Sequence, residues 1–184
     1  MPSGVVEARN HRLAGARTLL IREAQPQDAA ALLAYIECVS AETDFLTFGA
    51  GEFELTEAAE AEQLSKFAAA DNQIYLLGLI EEVIVAALMF SAGTRPRMRH
   101  SGSLGMSVRG QYWGLGVGSL LLDALIDWAR ASGIVTKLNL CVRTDNERAI
   151  SLYRRKGFVL EGTHRKELVV RGVYYDTHWF GLEL

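Results

Sequence analysis

The chain reads as a mixed α/β protein with a largely antiparallel sheet, and three observations lead there. Residues 72–80 and 83–91 are β-rich runs around Glu81-Glu82, the pattern of an antiparallel hairpin. A strand over 100–108 runs into the loop Tyr112-Trp113-Gly114-Leu115-Gly116-Val117-Gly118-Ser119 and then into an amphipathic helix. Strands precede, interrupt and follow the helical segments instead of forming separate blocks.

The elements follow in order. Residues 1–17 include Arg9, Arg12 and Arg17 with Gly4 and Gly15 but no apolar period, the pattern of a mobile basic arm. Residues 18–23 form a first strand, and Pro26 suits the first turn of a helix reaching Val39, with a stripe of Ala29, Leu32, Leu33, Ile36 and Val39. Thr56 can cap a second helix through about Ala70. The loop between carries Glu42, Asp44, Phe45, Phe48, Glu52, Phe53 and Glu54. Two readings of it stay open: a solvated charged surface with phenylalanines on the core, or the wall of a site for a cationic amine.

After the hairpin, residues 93–99 are an exposed loop. The third helix is the clearest: Val117, Leu120, Leu121, Ala124, Leu125 and Trp128 share one face, Asp123, Asp127 and Arg130 take the other, and Gly133 suits a left-handed C-cap. A strand over 135–142 places Leu138, Leu140 and Val142 on one face and Lys137, Asn139 and Cys141 on the other. Asn146 caps a short helix ending before Gly157; residues 158–161 and a hairpin over 173–184 close the chain.

At 184 residues the length suits one domain, expected over 18–184, with 49% hydrophobic and 22% charged residues typical of a globular chain. A net charge of −3 argues against a nucleic-acid partner. Cys38 and Cys141 lie far apart without metal-ligand spacing, as do His100, His164 and His178, so reduced thiols, a cytoplasmic setting and no metal are expected. Cys141 reads as a small packed side chain. The most apolar stretch, 74–90, is cut by two glutamates, and no membrane partner is expected.

Glycines at alternate positions before a helix suit phosphate oxygens, because the helix start offers unpaired N–H groups and positive dipole charge. A P-loop would close on Gly-Lys-Ser/Thr, and no lysine lies between Gly110 and Asp127. A dinucleotide fingerprint wants a third glycine where Ser119 stands and an acid near Leu138-Asn139-Leu140. The third reading is an acyl-coenzyme A pyrophosphate loop.

Leu104-Gly-Met-Ser-Val-Arg109, the glycine loop, and Asn146-Glu-Arg-Ala-Ile-Ser-Leu-Tyr-Arg-Arg-Lys-Gly-Phe158 together resemble the GNAT superfamily of acyl-CoA N-acyltransferases. The resemblance implies a twisted sheet of about six or seven strands flanked by about four helices. It also implies transfer of an acetyl group from acetyl-CoA to a primary amine attacking directly. The acceptor would be a small amine or amino-acid-like molecule; a protein amino group, or an acyl-CoA-binding module without catalysis, are the alternatives, and a homodimer is compatible with either. Met106, Ser107 and Val108 would face the pantetheine arm, with Met106 and Val108 offering main-chain groups and an N–H near Val108 meeting the oxyanion. Amides of Trp113, Gly114, Leu115, Gly116, Val117, Gly118 and Ser119 would hold the pyrophosphate. Asn146 would reach the pantetheine, Arg155 the ribose phosphate, and Tyr153 the thioester sulfur as acid. The loop departs from the family by starting on Trp113 in place of Gln or Arg, and by Leu115 where a base is common. Where many members carry a glutamate base this chain has Ser103, leaving Glu42, His100, Glu161, Tyr174, Tyr175 and Asp176 as candidates.

Overall fold

The computed structural model describes residues 6–184. Eight strands form one sheet: β1 (Arg9–Arg12), β2 (Thr18–Glu23), β3 (Gln73–Ile80), β4 (Val83–Ala92), β5 (Ser101–Val108), β6 (Lys137–Arg143), β7 (Val159–Val170) and β8 (Val173–Glu183). Their order is β1-β2-β3-β4-β5-β6-β8-β7. Four helices accompany them, α1 (Ala29–Glu42), α2 (Glu57–Ala69), α3 (Val117–Ser132) and α4 (Glu147–Arg155). Every neighbouring pair is antiparallel except β5 and β6, whose connection runs through α3.

Alternation along the central strands builds two cores. On β3, Ile74 and Leu76 join Leu121, Leu125 and Trp128 of α3, while Leu77 and Leu79 join Leu32, Ile36 and Leu64 of α1 and α2. The helices therefore cover opposite faces. The buried face of α3 lies slightly round from the expected stripe: Leu122, Ile126 and Ala129 are buried, whereas Leu120 and Ala124 are only half-buried. Gly133 takes the left-handed C-cap at φ 65°, and the hydroxyl of Thr56 and the carbonyl of Asn146 accept the cap N–H groups of Ala59 and Ala149, each at 3.2 Å.

Two stretches differ from the sequence reading. Arg9–Arg12, expected within an arm lacking regular structure, pairs with Thr18–Ile21 as an edge strand. Its side chains are mostly exposed, so no apolar period marks it, and backbone pairing with the buried Leu13 anchor holds it. The first five residues of that arm lie outside the described residues. β7 runs well past residue 161, because both its faces are largely wet and two bulges, at Leu160/Gly162 and His164/Leu168, break the alternation a strand would show. Among the described residues no helix is long and apolar enough to cross a membrane.

The feature that positions a site is the seam between β5 and β6. Only Ser101–Ser103 pair with Lys137–Asn139; beyond them the strands part. β5 stays paired with β4 from Gly102 to Val108, and β6 stays paired with β8 along its length. Between β3 and β4 the register jumps at Gly78/Leu79, leaving Val85 of β4 as an extra residue whose carbonyl takes the Arg109 N–H at 2.9 Å. Such a bulge bends its strand, and β5 follows. At the fork Gly102 lies so close to β4 that an added Cβ would meet the Ser91 carbonyl and come 2.5 Å from the Ala92 Cα. Backbone cannot move aside as a side chain can, so Gly102→Ala is expected to lower stability by about 1–3 kcal/mol in urea unfolding; wild-type stability would mean that the seam is looser than described.

Candidate active site

The parted strands expose main chain. Arg109 donates its N–H to Val85 of β4 and the Ser101 carbonyl accepts from Gly93 just past the end of β4, so odd residues of β5 point that way. The Gly102 carbonyl points to β6, where the Asn139 side-chain amide donates to it at 2.9 Å. By strand alternation the main-chain groups of Leu104, Met106 and Val108 face the gap. They line one wall of a cleft of about 630 Å³.

The glycine loop closes one end. Gly114 and Gly116 have φ of 77° and 85°, and a Cβ on either would meet nothing within 4 Å. Left-handed backbone rather than crowding is what asks for glycine there. Gly118 is different: a Cβ would sit 3.3 Å from both Leu152 and Met106 side chains, so its bareness lets α3, α4 and β5 converge. The first intrahelical bond of α3 is Leu120 N–H to the Gly116 carbonyl, and no side chain caps the start. The amides of Val117, Gly118 and Ser119 are thus left for another acceptor.

Of the residues singled out from sequence, Met106, Ser107, Val108, Trp113, Gly114, Gly116, Val117, Gly118, Ser119, Asn146, Tyr153 and Arg155 all line this cleft. Leu115 does not; its side chain packs on the α3 core, which explains an apolar residue at that place. Tyr153 is 6% exposed, edge-on to Phe158 at 5.8 Å, and burial pushes its phenol up to about 12. Asn146 spends its carbonyl on the cap of α4. The Arg155 guanidinium donates to the Ser151 hydroxyl at 2.7 Å.

Several contacts, and the residues Tyr35, Arg143 and Arg148, escaped the sequence reading. Trp113 donates its indole N–H to the Val108 carbonyl at 2.6 Å, and the Arg148 guanidinium lies 3.4 Å from its ring centre, where burial lowers the Arg148 pKa. Stacking thereby brings a cation beside a loop that has none. Tyr35 of α1 shares a 2.8 Å hydrogen bond with Ser107. Glu42 accepts from Arg109 Nε and Nη2 at 3.1 Å and from the Gly110 N–H at 2.7 Å, which fastens α1 to the end of β5. Arg143, 6% exposed, donates to both Asp145 oxygens and to the Asp44 carbonyl at 2.8 Å, and stacks 3.6 Å over Tyr175. These partners are distant in sequence, and pairings of that kind leave no local pattern.

The acidic aromatic loop divides. Phe45, Phe48 and Phe53 line the cleft, whereas Glu42, Asp44, Glu52 and Glu54 do not. Asp44 pairs with Arg171 at 3.2 Å, and Glu52 takes the Gly49 N–H at 2.8 Å. Among the described residues the one carboxylate lining the cleft is Glu60 of α2, and the lining cations are Arg148 and Arg155 at the other end. Cys141, expected to be packed, is exposed and faces the cleft, with Glu167 Oε2 3.8 Å from its sulfur. Desolvation first, and that carboxylate as well, raise its pKa. The other candidate bases lie off the cleft lining. Glu161 pairs with Lys137, Asp176 takes the Lys166 N–H, and the His100 carbonyl sits at the closed end of the seam.

A mixed α/β sheet split beside an uncapped helix start offers an open strand edge and unpaired amides to one extended, anionic ligand. Residues 29–158 match the Acetyltransferase (GNAT) family, and the chain belongs to that family. It is similar to the L-amino acid N-acetyltransferase AaaT of Escherichia coli (strain K12), at 32% identity over 56% of this chain; the match spans 64% of that relative, just under two thirds of its length. Among solved structures, a GNAT-family acetyltransferase from Streptococcus pneumoniae superposes with a TM-score of 0.88 at 41% identity, covering 90% of this chain and 99% of that one. yncA from Salmonella typhimurium, solved with its cofactor acetyl-CoA, shares the fold alone, at TM-score 0.79 and 20% identity over 90% of this chain and 94% of the other.

Arg143 generates a pH-dependent expectation. Its hydrogen bonds hold the Asp145 carboxyl below the ordinary range, so their contribution is present above about pH 4 and lost as pH falls through the depressed value. Asp145→Asn should cost about 1 kcal/mol at pH 7, toward the low end because Asp145 is half in water. The deficit should shrink below pH 4 in parallel urea titrations; an equal deficit at both pH values would contradict the pairing.

Proposed function

We propose that residues 18–184, with β1 added at the sheet edge, form a single domain that transfers an acetyl group from acetyl-CoA to a small primary amine or amino-acid-like acceptor. The observation that carries this reading is the open edge of β5 leading straight to unpaired amides at the start of α3. The residues fit the cosubstrate. Edge groups of Met106 and Val108 match an amide-bearing arm, the loop amides and Arg148 match a pyrophosphate, and Arg155 at the rim matches a further phosphate. Acetyl-CoA supplies the acyl group as a thioester.

Each remaining step falls to a residue of the chain. The amine must be neutral to attack, and its ordinary pKa of about 10 means a proton is shed, to water in the open cleft. Its nitrogen bonds to the carbonyl carbon, the carbon–sulfur bond breaks, and the sulfur leaves with the electron pair. The Val108 N–H faces the gap where negative charge gathers on oxygen. Tyr153, kept protonated by burial, holds a hydrogen at Oη for the departing sulfur. Similarity to AaaT supports an amino-acid-like acceptor, and the aromatic walls at the Glu60 end support a small one.

Tyr153→Phe should cut turnover about 100-fold while acetyl-CoA affinity stays within twofold, read by thiol release over a panel of amines, amino acids and peptides and by calorimetry. Unchanged turnover would remove Tyr153 from the chemistry. Activity confined to peptides would favour a protein substrate, and tight acetyl-CoA binding without thiol release on any acceptor would favour a binding module.

A further inference from the structure

Glu60 is out of keeping with its surroundings. It is 3% exposed, and among the described residues no donor reaches its Oε2. An acid in the first turn of a helix is ordinary, since the helix dipole favours it, but such acids normally reach water. This one shares the sheet-facing side of α2 with Leu64 and Phe67 and lines the cleft. Phe48 and Phe53, 5.1 Å apart, and Phe67 against Tyr75 at 5.5 Å line the same end. Burial raises the Glu60 pKa, and Tyr75, raised first by its own burial, is raised further by the Glu60 charge, which places the two groups together.

A buried carboxylate oxygen without a donor is costly, and among the described residues Glu60 keeps one at the end of the cleft remote from both lining arginines. Aromatic faces carry negative charge, so they repel an anion and hold a cation. We propose that Glu60 anchors a second, protonated amine on the acceptor, making small dicationic amines the preferred substrates. One amine, neutral, reaches the open edge of β5 while the other sits on Glu60 among Phe48, Phe53, Phe67 and Tyr75. The sheet sets the span. Tyr75, Met89 and Gly105 lie side by side on β3, β4 and β5, two strand spacings or about 10 Å across. A five-carbon terminal diamine extends about 7 Å between its nitrogens and the ammonium–carboxylate hydrogen bond adds about 3 Å, which together span it. The second anchor deepens the acetyl-transfer reading and rests on it for the fate of the first amine only.

The test titrates 1,5-diaminopentane and pentylamine calorimetrically into the CoA-loaded protein. The wild type is expected to bind the diamine at least tenfold more tightly, and Glu60→Gln to bring the two affinities within about twofold. Glu60→Asp, which keeps the charge but withdraws it by a methylene, should lower the ratio less and serves if the amide variant does not fold; acetyl-CoA affinity is the folding control. Equal affinities in the wild type, no binding of the diamine, or a ratio that survives Glu60→Gln overturns the proposal. Thiol release separates the two readings. A diamine held through Glu60 that releases no thiol leaves the cation site standing and overturns acetyl transfer, while thiol release without the affinity ratio overturns the cation site alone.

Discussion

Among the described residues, three residue pairs, Ser101 with Lys137, Gly102 with Leu138 and Ser103 with Asn139, make up the whole ladder between β5 and β6. Each half is otherwise self-sufficient, β5 being bonded to β4 and β6 to β8. Past the third pair the facing edges carry backbone N–H and C=O groups with no ladder to enter, and buried groups of that kind cost about 1–3 kcal/mol each if left without a partner. The fold keeps them at a cleft, where water or a ligand can serve. The Val85 bulge, the bare Gly102 and the Asn139 amide are the devices that start the split where it starts.

Around that split the charges are sorted. Arg148, stacked on Trp113, and Arg155 stand by the loop and helix start, where positive dipole charge already gathers; Glu60, whose Oε2 has no donor among the described residues, stands at the aromatic end. Between them Tyr153 is buried and neutral, and Tyr35 is bonded to Ser107. Such a gradient suits a polyanion entering from one side and a cation from the other. Two arginines hold the walls: Arg109, paired with Glu42, secures α1 to the end of β5, and Arg143, held by Asp145, donates to the Asp44 carbonyl and so ties the loop after α1 to the end of β6.

Much of this was legible in the amino-acid order. The period of α3, the Glu81-Glu82 turn between two β-rich runs, and the caps Thr56, Asn146 and Gly133 are local signals, and each stands where its chemistry asks. The glycine loop and the Asn146–Phe158 stretch marked the cleft lining, because both act through short segments of backbone. Edge strands spoke less clearly: β1 and most of β7 bury few side chains, so pairing alone defines them. Contacts across the fold were silent. Nothing local links Arg148 to Trp113 or Glu42 to Gly110, and the carboxylate lining the cleft proved to be Glu60, within a helix whose other acids face water, rather than the acids clustered in the preceding loop.

We propose that acetyl-CoA seats on main chain at the open edge of β5 and the start of α3. Amide hydrogen exchange, read residue by residue with and without CoA, tests it directly. Slowing at Met106, Val108 and Val117 to Ser119, with Gly105 and Ser107 already slow because they face β4, is the outcome the account predicts. Exchange at Met106 and Val108 that CoA leaves unaltered would contradict it.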